Sequence, residues 1–377
     1  MAGIYIHIPF CKQACHYCDF HFSTSLKKSD TMVLALAKEL VLRKNEFKVE
    51  TVETIYFGGG TPSILSSDDL NHLIDEVYVN YKVSDNPEIT IEANPDDLNK
   101  ERILELAKSR VNRLSIGVQS FYEEDLKLMN RAHNALEAKE CLEFAVQYFD
   151  NISVDLIYGI PGLTNEKWLL NIQTLLDLNI PHISNYALTV EHKTALEKMI
   201  QKGDIPALDD GVAHEQFLML VEKLENNGFV HYELSNFGKS NYFSKNNSAY
   251  WLGKKYIGIG PSAHSYDGVN RSWNVSNNSL YIKSIEESKL PSEIETLSIT
   301  DRYNENVMTG LRTVWGVSLQ RIEKEFGKEY LEYLLQNAQQ FLDDEKLILE
   351  NDILKTTKKG KFFCDGIASD LFWLNLE

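Results

Sequence analysis

Short apolar segments of β type alternate with amphipathic helical patterns six times between residues 4 and 188. The β-type segments are residues 4–8, 51–57, 88–93, 113–118, 151–159 and 182–188. Strands that alternate with helices form a parallel sheet with right-handed connections, because each helix returns the chain to the same end of the sheet. The pattern therefore predicts an α/β fold whose six parallel strands form a partial (β/α)6 barrel.

Polar residues and glycines of this region fall at the ends of the predicted strands or just after them. They are Cys11, Gly58, Gly59, Gly60, Glu92, Gln119, Asp155, Tyr186 and Ala187. The carboxyl ends of the strands in a β/α barrel meet at one rim, and the loops at that rim carry the functional groups. We therefore expect these residues to lie close together in one site.

Three of the five cysteines, Cys11, Cys15 and Cys18, lie within eight residues in a C-x3-C-x2-C spacing. Thiolates are the usual ligands of iron–sulfur clusters, and three of them leave one iron of a [4Fe–4S] cluster open for S-adenosylmethionine (SAM). A three-cysteine zinc site or a chance group of free thiols are the alternatives, although zinc motifs usually pair two C-x2–4-C units or add histidine. The remaining Cys141 and Cys364 are interpreted as small buried apolar residues.

The charge balance and the hydropathy pattern exclude some classes of partner. The chain has 55 acidic and 38 basic residues, for a net charge of -17. Such a surface repels phosphate backbones, which argues against a nucleic-acid substrate. No apolar run reaches the ~18 residues that a membrane span needs, and the start MAGIYIHIPF lacks the basic region of a signal peptide. We expect a cytoplasmic protein with no integral membrane segment and no nucleic-acid partner.

The cysteine spacing, the aromatic Tyr17 before Cys18 and the GGGTP run after the second strand resemble the radical-SAM superfamily. The longer motifs HIPFC, YFGGGTPS, IEANP, RLSIGVQSF, VDLIYGIPG and YIGIGPSAHS are similar to one branch of it, which contains oxygen-independent coproporphyrinogen III oxidases and heme chaperones of the HemW type. The resemblance covers nearly the whole chain. It implies a radical-SAM partial barrel with a [4Fe–4S] cluster on Cys11, Cys15 and Cys18.

The resemblance also implies a set of residues that form the SAM pocket. They are Tyr5, Tyr17, Gly59, Gly60, Thr61, Glu92, Gln119, Arg131, Asp155 and Ala187. Glycines would let backbone N–H groups approach the methionine end, and carboxylates suit a sulfonium and ribose hydroxyls. Arg131 can pair with a carboxylate. Taken singly, the GGGTP run is also typical of an ordinary βα turn, and Glu92, Gln119 and Asp155 of satisfied polar residues at a barrel rim.

The resemblance and a change in composition divide the chain into three predicted parts. Residues 1–235 would form the radical-SAM core, and residues 236–297 a connecting segment with the NNSAYW and YIGIG motifs. Residues 298–377, where helical patterns return, would form a small, mainly helical C-terminal accessory domain of the type found in the oxidase family.

Two features favour the heme chaperones over the oxidases within this branch. The oxidases have a further cysteine where this chain has Phe20, and an N-terminal extension where only Met1 to Gly3 precede the first strand. The expected function is therefore a heme chaperone that binds a [4Fe–4S] cluster, SAM and heme, and passes heme to an unidentified acceptor protein. The alternative is a coproporphyrinogen III oxidase, which decarboxylates two propionates oxidatively. A radical-SAM enzyme that modifies RNA is a third possibility, disfavoured by the charge.

The heme ligand is open, because the chaperones carry an H-N-x-x-Y motif that this chain matches only in part. Asn247 and Tyr250 match, but Asn246 replaces the histidine. Imidazole is a standard ligand of heme iron and a carboxamide is not. His264 is the first candidate ligand and His231 another, although either is equally typical of a hydrogen-bonded structural histidine.

Overall fold

The computed structural model describes residues 2–46 and 50–374. Six strands lie side by side in chain order: β1 (Ala2–Ile8), β2 (Val52–Gly59), β3 (Val83–Ala93), β4 (Arg113–Gln119), β5 (Ile152–Tyr158) and β6 (His182–Ala187). The pairings between successive strands of this set are all parallel. The predicted α/β class and the parallel sheet are therefore confirmed.

Helices connect these strands and cover the outer face of the sheet. They are α1 (Ser29–Arg43), α2 (Ser67–Asn80), α3 (Lys100–Lys108), α4 (Glu123–Leu128), α5 (Ala135–Ala145) and α6 (Asn165–Asp177). Polar residues begin several of them: the Ser66 hydroxyl accepts a hydrogen bond from the N–H of Asp69, and Asn134 forms a capping box with Glu137. These side chains satisfy N–H groups that the first turn of a helix leaves without acceptors.

Beyond β6 the chain adds strands to both edges of the sheet. The further elements are α7 (Ala195–Lys202), α8 (Asp210–Glu225), β7 (Val230–Glu233), β8 (Asn236–Gly238), α9 (Lys245–Trp251), β9 (Lys255–Ile259), β10 (His264–Tyr266), β11 (Asn270–Asn274), α10 (Asn278–Glu286) and β12 (Ser292–Thr296). Strand β9 pairs in parallel with β1, and β8 pairs antiparallel with β6. In the described residues the sheet thus has 12 strands, in the order β12-β11-β10-β9-β1-β2-β3-β4-β5-β6-β8-β7.

Residues 236–297, which the sequence separates as a connection, contribute five of these strands. Ile257, Ile259 and Ile285 are fully buried in the same hydrophobic core as the six-stranded region. Apart from β9, which contains Ile257 and Ile259, these strands are short and polar, so they lack the apolar runs that marked the first six strands. The boundary at residue 235 stays a prediction, but the hydrophobic core continues across it.

The C-terminal region is mainly helical and has a hydrophobic core of its own. It contains α11 (Ile299–Leu311), β13 (Val317–Ser318), α12 (Leu319–Phe326), α13 (Lys328–Asp343), β14 (Leu347–Glu350), β15 (Ile353–Thr356), α14 (Lys358–Lys361) and α15 (Cys364–Asp370). Its three strands form a separate sheet, and its apolar residues form a second cluster between Tyr303 and Leu371. Within residues 2–46 and 50–374, no helix has the length and apolar character that a bilayer span requires.

Candidate functional site

The cysteine motif forms a loop directly after β1. Cys11, Cys15 and Cys18 are all partly exposed, and the three line one cavity of about 460 Å³. The N–H of Cys11 donates to the Ser23 carbonyl at 3.1 Å, and the N–H of Cys18 donates to the Cys15 carbonyl at 3.4 Å. Hydrogen bonds within the protein therefore fold this loop back on itself.

A second set of hydrogen bonds ties this loop to the segment that follows α4. The N–H of His16 donates to the Met129 carbonyl at 3.1 Å, and the Asn130 side-chain amide donates to the Ala14 carbonyl at 2.7 Å. Asn130 has a φ of 56°, a conformation that asparagine tolerates better than most residues. The cysteines are therefore held by a chain segment more than a hundred residues away in sequence.

The thiols fit a role as cluster ligands. Burial raises the pKa of Cys11 and raises that of Cys18 to about 11, while a hydrogen bond with Thr61 partly offsets the shift at Cys11. A coordinated metal reverses such a shift, because it deprotonates the thiol outright. In the described chain, no three His, Cys, Asp or Glu side chains converge tightly enough for a single metal ion. A [4Fe–4S] cluster makes no such demand, since its ligands bind different irons.

Nine of the ten residues predicted to form the SAM pocket line this same cavity. They are Tyr17, Gly59, Gly60, Thr61, Glu92, Gln119, Arg131, Asp155 and Ala187. The tenth, Tyr5, does not line it. Its hydroxyl hydrogen-bonds His7 Nδ1 at 3.2 Å, and its ring stacks on Tyr56 with 6.0 Å between centroids. Tyr5 thus packs beside Tyr56, whose hydroxyl donates to Glu92.

Arg131 connects the cysteine loop with the ends of β3 and β4. One terminal nitrogen, Nη1, lies 3.3 Å from Cys15 Sγ and 3.4 Å from the Tyr17 hydroxyl. The other, Nη2, donates to Asn94 Oδ1 at 2.6 Å and to the Gly117 carbonyl at 2.7 Å. The pairing of Arg131 with a carboxylate stays a prediction, and its guanidinium contacts Cys15, the Tyr17 hydroxyl and two neutral oxygen acceptors.

The glycine turn after β2 is shaped by its contacts with the cysteine loop. The N–H of Gly60 donates to the Ile8 carbonyl at 2.9 Å, and the N–H of Thr61 to the Phe10 carbonyl at 2.7 Å. The N–H of Gly59 donates to Glu92 Oε2 at 3.2 Å. These three N–H groups are therefore engaged within the protein, and the contact between the backbone of the turn and the methionine end of SAM stays a prediction.

Two carboxyl groups lie on the inner wall of the cavity. Glu92 accepts hydrogen bonds from the Tyr56 hydroxyl at 2.8 Å and from the Gly59 N–H. Burial raises the pKa of Glu92 to about 7 and the pKa of Asp155 to about 6, with a hydrogen bond from Ser184 opposing the shift at Asp155. A cation bound beside these groups, such as a sulfonium, would favour their ionised forms.

Gln119, Asn94 and Tyr186 also line this cavity, which we call the cluster cavity. Gln119 has a φ of 71° at the end of β4, an uncommon backbone conformation of the kind that recurs at functional sites. The sequence analysis assigned no role to Asn94, although it follows Glu92 closely in the IEANP motif. Tyr186 was placed at the rim, but its sequence gave no indication of the second role described next.

A second cavity, of about 430 Å³, lies beside the cluster cavity, and Tyr186 lines both. We call it the aromatic cavity. Its aromatic residues are Tyr186, Tyr250, Trp251, Tyr256 and Tyr266, and its other lining residues include Asn247, Arg271, Arg302, Glu305 and Arg321. The cavity is bounded by α9, by strands β9 to β11 and by helices α11 and α12. The cavity therefore lies between the large sheet and the C-terminal region, and both contribute residues to its lining.

Asn246 does not line the aromatic cavity. It is buried, its Oδ1 accepts a hydrogen bond from the Thr54 hydroxyl at 3.1 Å, and its N–H donates to Glu88 at 3.1 Å. An added Cβ at Gly3 would lie 3.5 Å from Asn246 Oδ1. The residue in the histidine position of the motif thus faces the start of β1 and β2, behind the wall that Asn247, its neighbour, helps to form.

Neither candidate histidine lines the aromatic cavity. His231 is buried and stacks on Phe237 with 4.0 Å between ring centroids, and burial lowers its pKa to about 3. His264 is exposed and lies beside Trp273, with 6.0 Å between centroids. The sequence-based preference for His264 as heme ligand therefore stays a prediction without support from the cavity's lining.

Comparisons with protein families match both parts of this architecture. The model of the Radical SAM superfamily matches residues 5–175, and the model of the HemN C-terminal domain matches residues 297–363. The first match begins within β1 and covers the cysteine loop and strands β2 to β5. The second begins at the start of α11.

Comparisons with individual proteins extend over the whole chain. The chain is similar to heme chaperone HemW of Bacillus subtilis, with 35% identity over 96% of this chain and 96% of the relative. It is similar to heme chaperone HemW of Mycobacterium tuberculosis, with 32% identity over 98% and 94%. Among solved structures it resembles coproporphyrinogen III oxidase (HemN) from Escherichia coli, with a TM-score of 0.85, 22% identity, and coverage of 98% and 90%. At that identity the structural likeness shows the fold alone.

Proposed function

The chain belongs to the radical SAM superfamily, within the family of the heme chaperone HemW, and we propose that it binds heme in the aromatic cavity and passes it to an acceptor protein. The observation that carries this proposal is the position of the aromatic cavity, which shares Tyr186 with the cluster cavity. A flat apolar ligand fits a cavity of this size with several aromatic side chains.

The cluster cavity supports binding of a [4Fe–4S] cluster and SAM. Cys11, Cys15 and Cys18 would supply the thiolates, and the guanidinium of Arg131 lies close enough to Cys15 to stabilise negative charge there. Glu92 and Asp155 would face the cationic part of SAM. A cluster with SAM at its open iron supplies one-electron chemistry, whereas the residues named here bind, orient and shield the cofactor.

The oxidase alternative receives less support than the chaperone. Two relatives named heme chaperone HemW are 35% and 32% identical across almost the whole chain, whereas the similarity to the oxidase structure is at the level of the fold. Phe20, in the place of the oxidases' additional cysteine, lines the cluster cavity with its side chain 68% exposed. Phenylalanine brings neither a ligand nor an acid to that position.

The proposal is tested by titrating the anaerobically reconstituted protein with heme and, separately, by supplying SAM, a reductant and coproporphyrinogen III. We expect saturable heme binding and no conversion of coproporphyrinogen III. Tyr256→Ala and Tyr266→Ala, on the aromatic wall, are expected to weaken heme binding, whereas Tyr78→Ala, an exposed tyrosine of α2, serves as the matched control. Turnover of coproporphyrinogen III without heme binding would establish the oxidase instead.

A further inference from the structure

Three arginines line the aromatic cavity together with its aromatic residues. Arg302 on α11, Arg321 on α12 and Arg271 on β11 all line it, although they are distant from one another in sequence. The two acidic residues of the lining are Glu233 and Glu305. In a chain with a net charge of -17, a cavity with more guanidinium than carboxylate groups is a local exception that calls for a physical reason.

Arg302 is the least compensated of the three. Its Nε is buried and has no hydrogen-bond partner, and the described part of the chain supplies no carboxylate that forms an ion pair with it. On α11 it is followed at helical spacing by Glu305, Asn306 and Thr309, which line the same cavity. A partly buried guanidinium without a counter-charge is costly, and a bound anion would remove that cost.

The other two arginines have partners that leave their guanidinium groups within reach of the cavity. Arg271 Nη2 lies 2.9 Å from Glu305 Oε1, and Arg321 Nε lies 3.0 Å from Glu325, which does not line the cavity. Burial raises the pKa of the Glu305 carboxyl group. The carboxylate that neutralises Arg271 is therefore itself held at a cost, and a ligand carboxylate is able to compete with it.

Tyr266 is an aromatic residue of the cavity that lies within the electrostatic influence of all three arginines. Burial and the nearby Glu305 carboxyl group raise the pKa of Tyr266, and Arg302, Arg271 and Arg321 oppose that rise. The three guanidinium groups thus act on one aromatic side chain that itself lines the cavity. A ligand stacked against the aromatic wall would place any carboxylates on its edge within the field of these groups.

We propose that Arg302, with Arg271 and Arg321, binds the carboxylates of the tetrapyrrole in the aromatic cavity, so that the site selects planar macrocycles that carry propionate groups. This inference rests on the proposed function, since it assumes that a tetrapyrrole occupies the cavity. The aromatic wall contributes contact area, whereas the arginines contribute orientation and the requirement for carboxylates. Guanidinium groups suit this role because their planar N–H pairs match the two oxygens of a carboxylate.

The first experiment needs no variant. The wild-type protein is titrated with heme and with heme dimethyl ester, in which both propionates are uncharged. We expect the ester to bind about tenfold more weakly, since charge-assisted hydrogen bonds are lost. Equal affinity for heme and its ester would overturn the proposal while leaving the chaperone function intact. If heme itself fails to bind saturably, both the proposed function and this inference are refuted.

The second experiment assigns the effect to Arg302. We expect Arg302→Gln to weaken heme binding about tenfold and to leave ester binding nearly unchanged, because the lost partner is the carboxylate. Arg302→Lys, which keeps the charge, is expected to retain part of the affinity. Arg110→Gln, which removes an exposed arginine paired with Asp75, is the control. Equal losses for heme and ester would contradict carboxylate binding, provided that iron content and thermal stability match the control.

Discussion

Nη1 of Arg131 lies 3.3 Å from Cys15 Sγ, and Nη2 of the same side chain donates a hydrogen bond of 2.6 Å to Oδ1 of Asn94, just after β3. One cation therefore spans from a cluster cysteine to the wall of the proposed SAM pocket. Arg131 therefore has two roles in this arrangement: it contacts the cysteine loop, and it lines the proposed SAM pocket.

We expect Arg131→Gln to weaken cofactor binding in both parts of the cluster cavity. The shorter, neutral side chain loses the charge near Cys15 and the paired contacts with Asn94 and Gly117. Iron content and the electron paramagnetic resonance signal of the reduced cluster, with and without SAM, measure the effect. A variant with full iron content and an unaltered response to SAM would show that these contacts are only structural. Arg110→Gln is again the matched control.

Each of Cys11→Ala, Cys15→Ala and Cys18→Ala is expected to abolish the cluster, whereas the wild type should hold about four irons per chain after anaerobic reconstitution. The control comes from the same chain: Cys141 and Cys364 are buried outside the cluster cavity. Cys141→Ala and Cys364→Ala should therefore retain the cluster absorbance. Retention of a full cluster by the triple variant of the loop would rule out this site.

The affinity for SAM is expected to rise with pH as Glu92 ionises. Burial raises its pKa to about 7, so in the free protein the carboxyl group is largely protonated below that pH and gains its charge above it. The ionised form attracts a sulfonium, and Glu92→Gln should weaken binding and flatten the pH dependence between about pH 6 and 8. Calorimetric titration across this range measures both effects. An unchanged slope in the variant would assign the dependence to another group.

The same shift has the opposite effect on stability without cofactor. A carboxyl group whose pKa is raised on folding keeps its proton more tightly in the folded state, so its contribution to stability is present at low pH. That contribution is lost as the pH rises from the ordinary glutamate range towards about 7. Glu92→Gln is therefore expected to make the free energy of unfolding less dependent on pH across this window, as measured by denaturant titration.

Replacing His264 with alanine is expected to leave the position of the heme Soret band unchanged. His264 does not line the aromatic cavity, and its ring lies beside Trp273. Asn246→His should not shift the band either, because residue 246 faces Thr54 behind the cavity wall. A shift of the Soret band in the alanine variant would instead support the histidine ligand that the sequence favoured.

The substitution Gly60→Val would not separate SAM binding from cluster binding. An added Cβ at Gly60 would lie 2.5 Å from the Phe10 carbonyl oxygen and 2.8 Å from that of Ile8. These atoms belong to the backbone that leads into Cys11, so the larger side chain must displace the cysteine loop as well. Glu92→Gln avoids this difficulty, since its side chain keeps nearly the same volume.

The parallel sheet and the rim residues were predictable because each signal is local. An apolar strand followed by Cys11, or by the glycine run at Gly59, places the functional group within a few residues of the element that positions it. The partial barrel was predictable because the same strand–helix unit is repeated six times along the chain. Of the nine residues that the strand pattern placed at the rim, eight line the cluster cavity, and Gly58 does not. Tyr17, Thr61 and Arg131 were instead implied by the resemblance to the superfamily.

The aromatic cavity was predictable only in part, because its walls come from separate segments. Asn247, Tyr250 and Trp251 belong to one motif, but Arg271, Arg302 and Arg321 come from a strand and two helices that the topology brings together. The three arginines lie in different elements, so no helix or strand periodicity in the sequence relates their positions. The orientation of Asn246 likewise depends on Thr54 and Glu88, which lie on strands far from it in sequence.

Because Tyr186 borders both cavities, the occupancies of the two cavities are linked wherever one occupant changes the orientation of its side chain. A single side chain that borders both cavities cannot adopt its orientations independently of either occupant. If SAM favours one orientation, it changes the affinity for heme, and heme must change the affinity for SAM by the same factor. Loading of the cluster cavity would then act as a signal that sets when the tetrapyrrole is retained and when it is released.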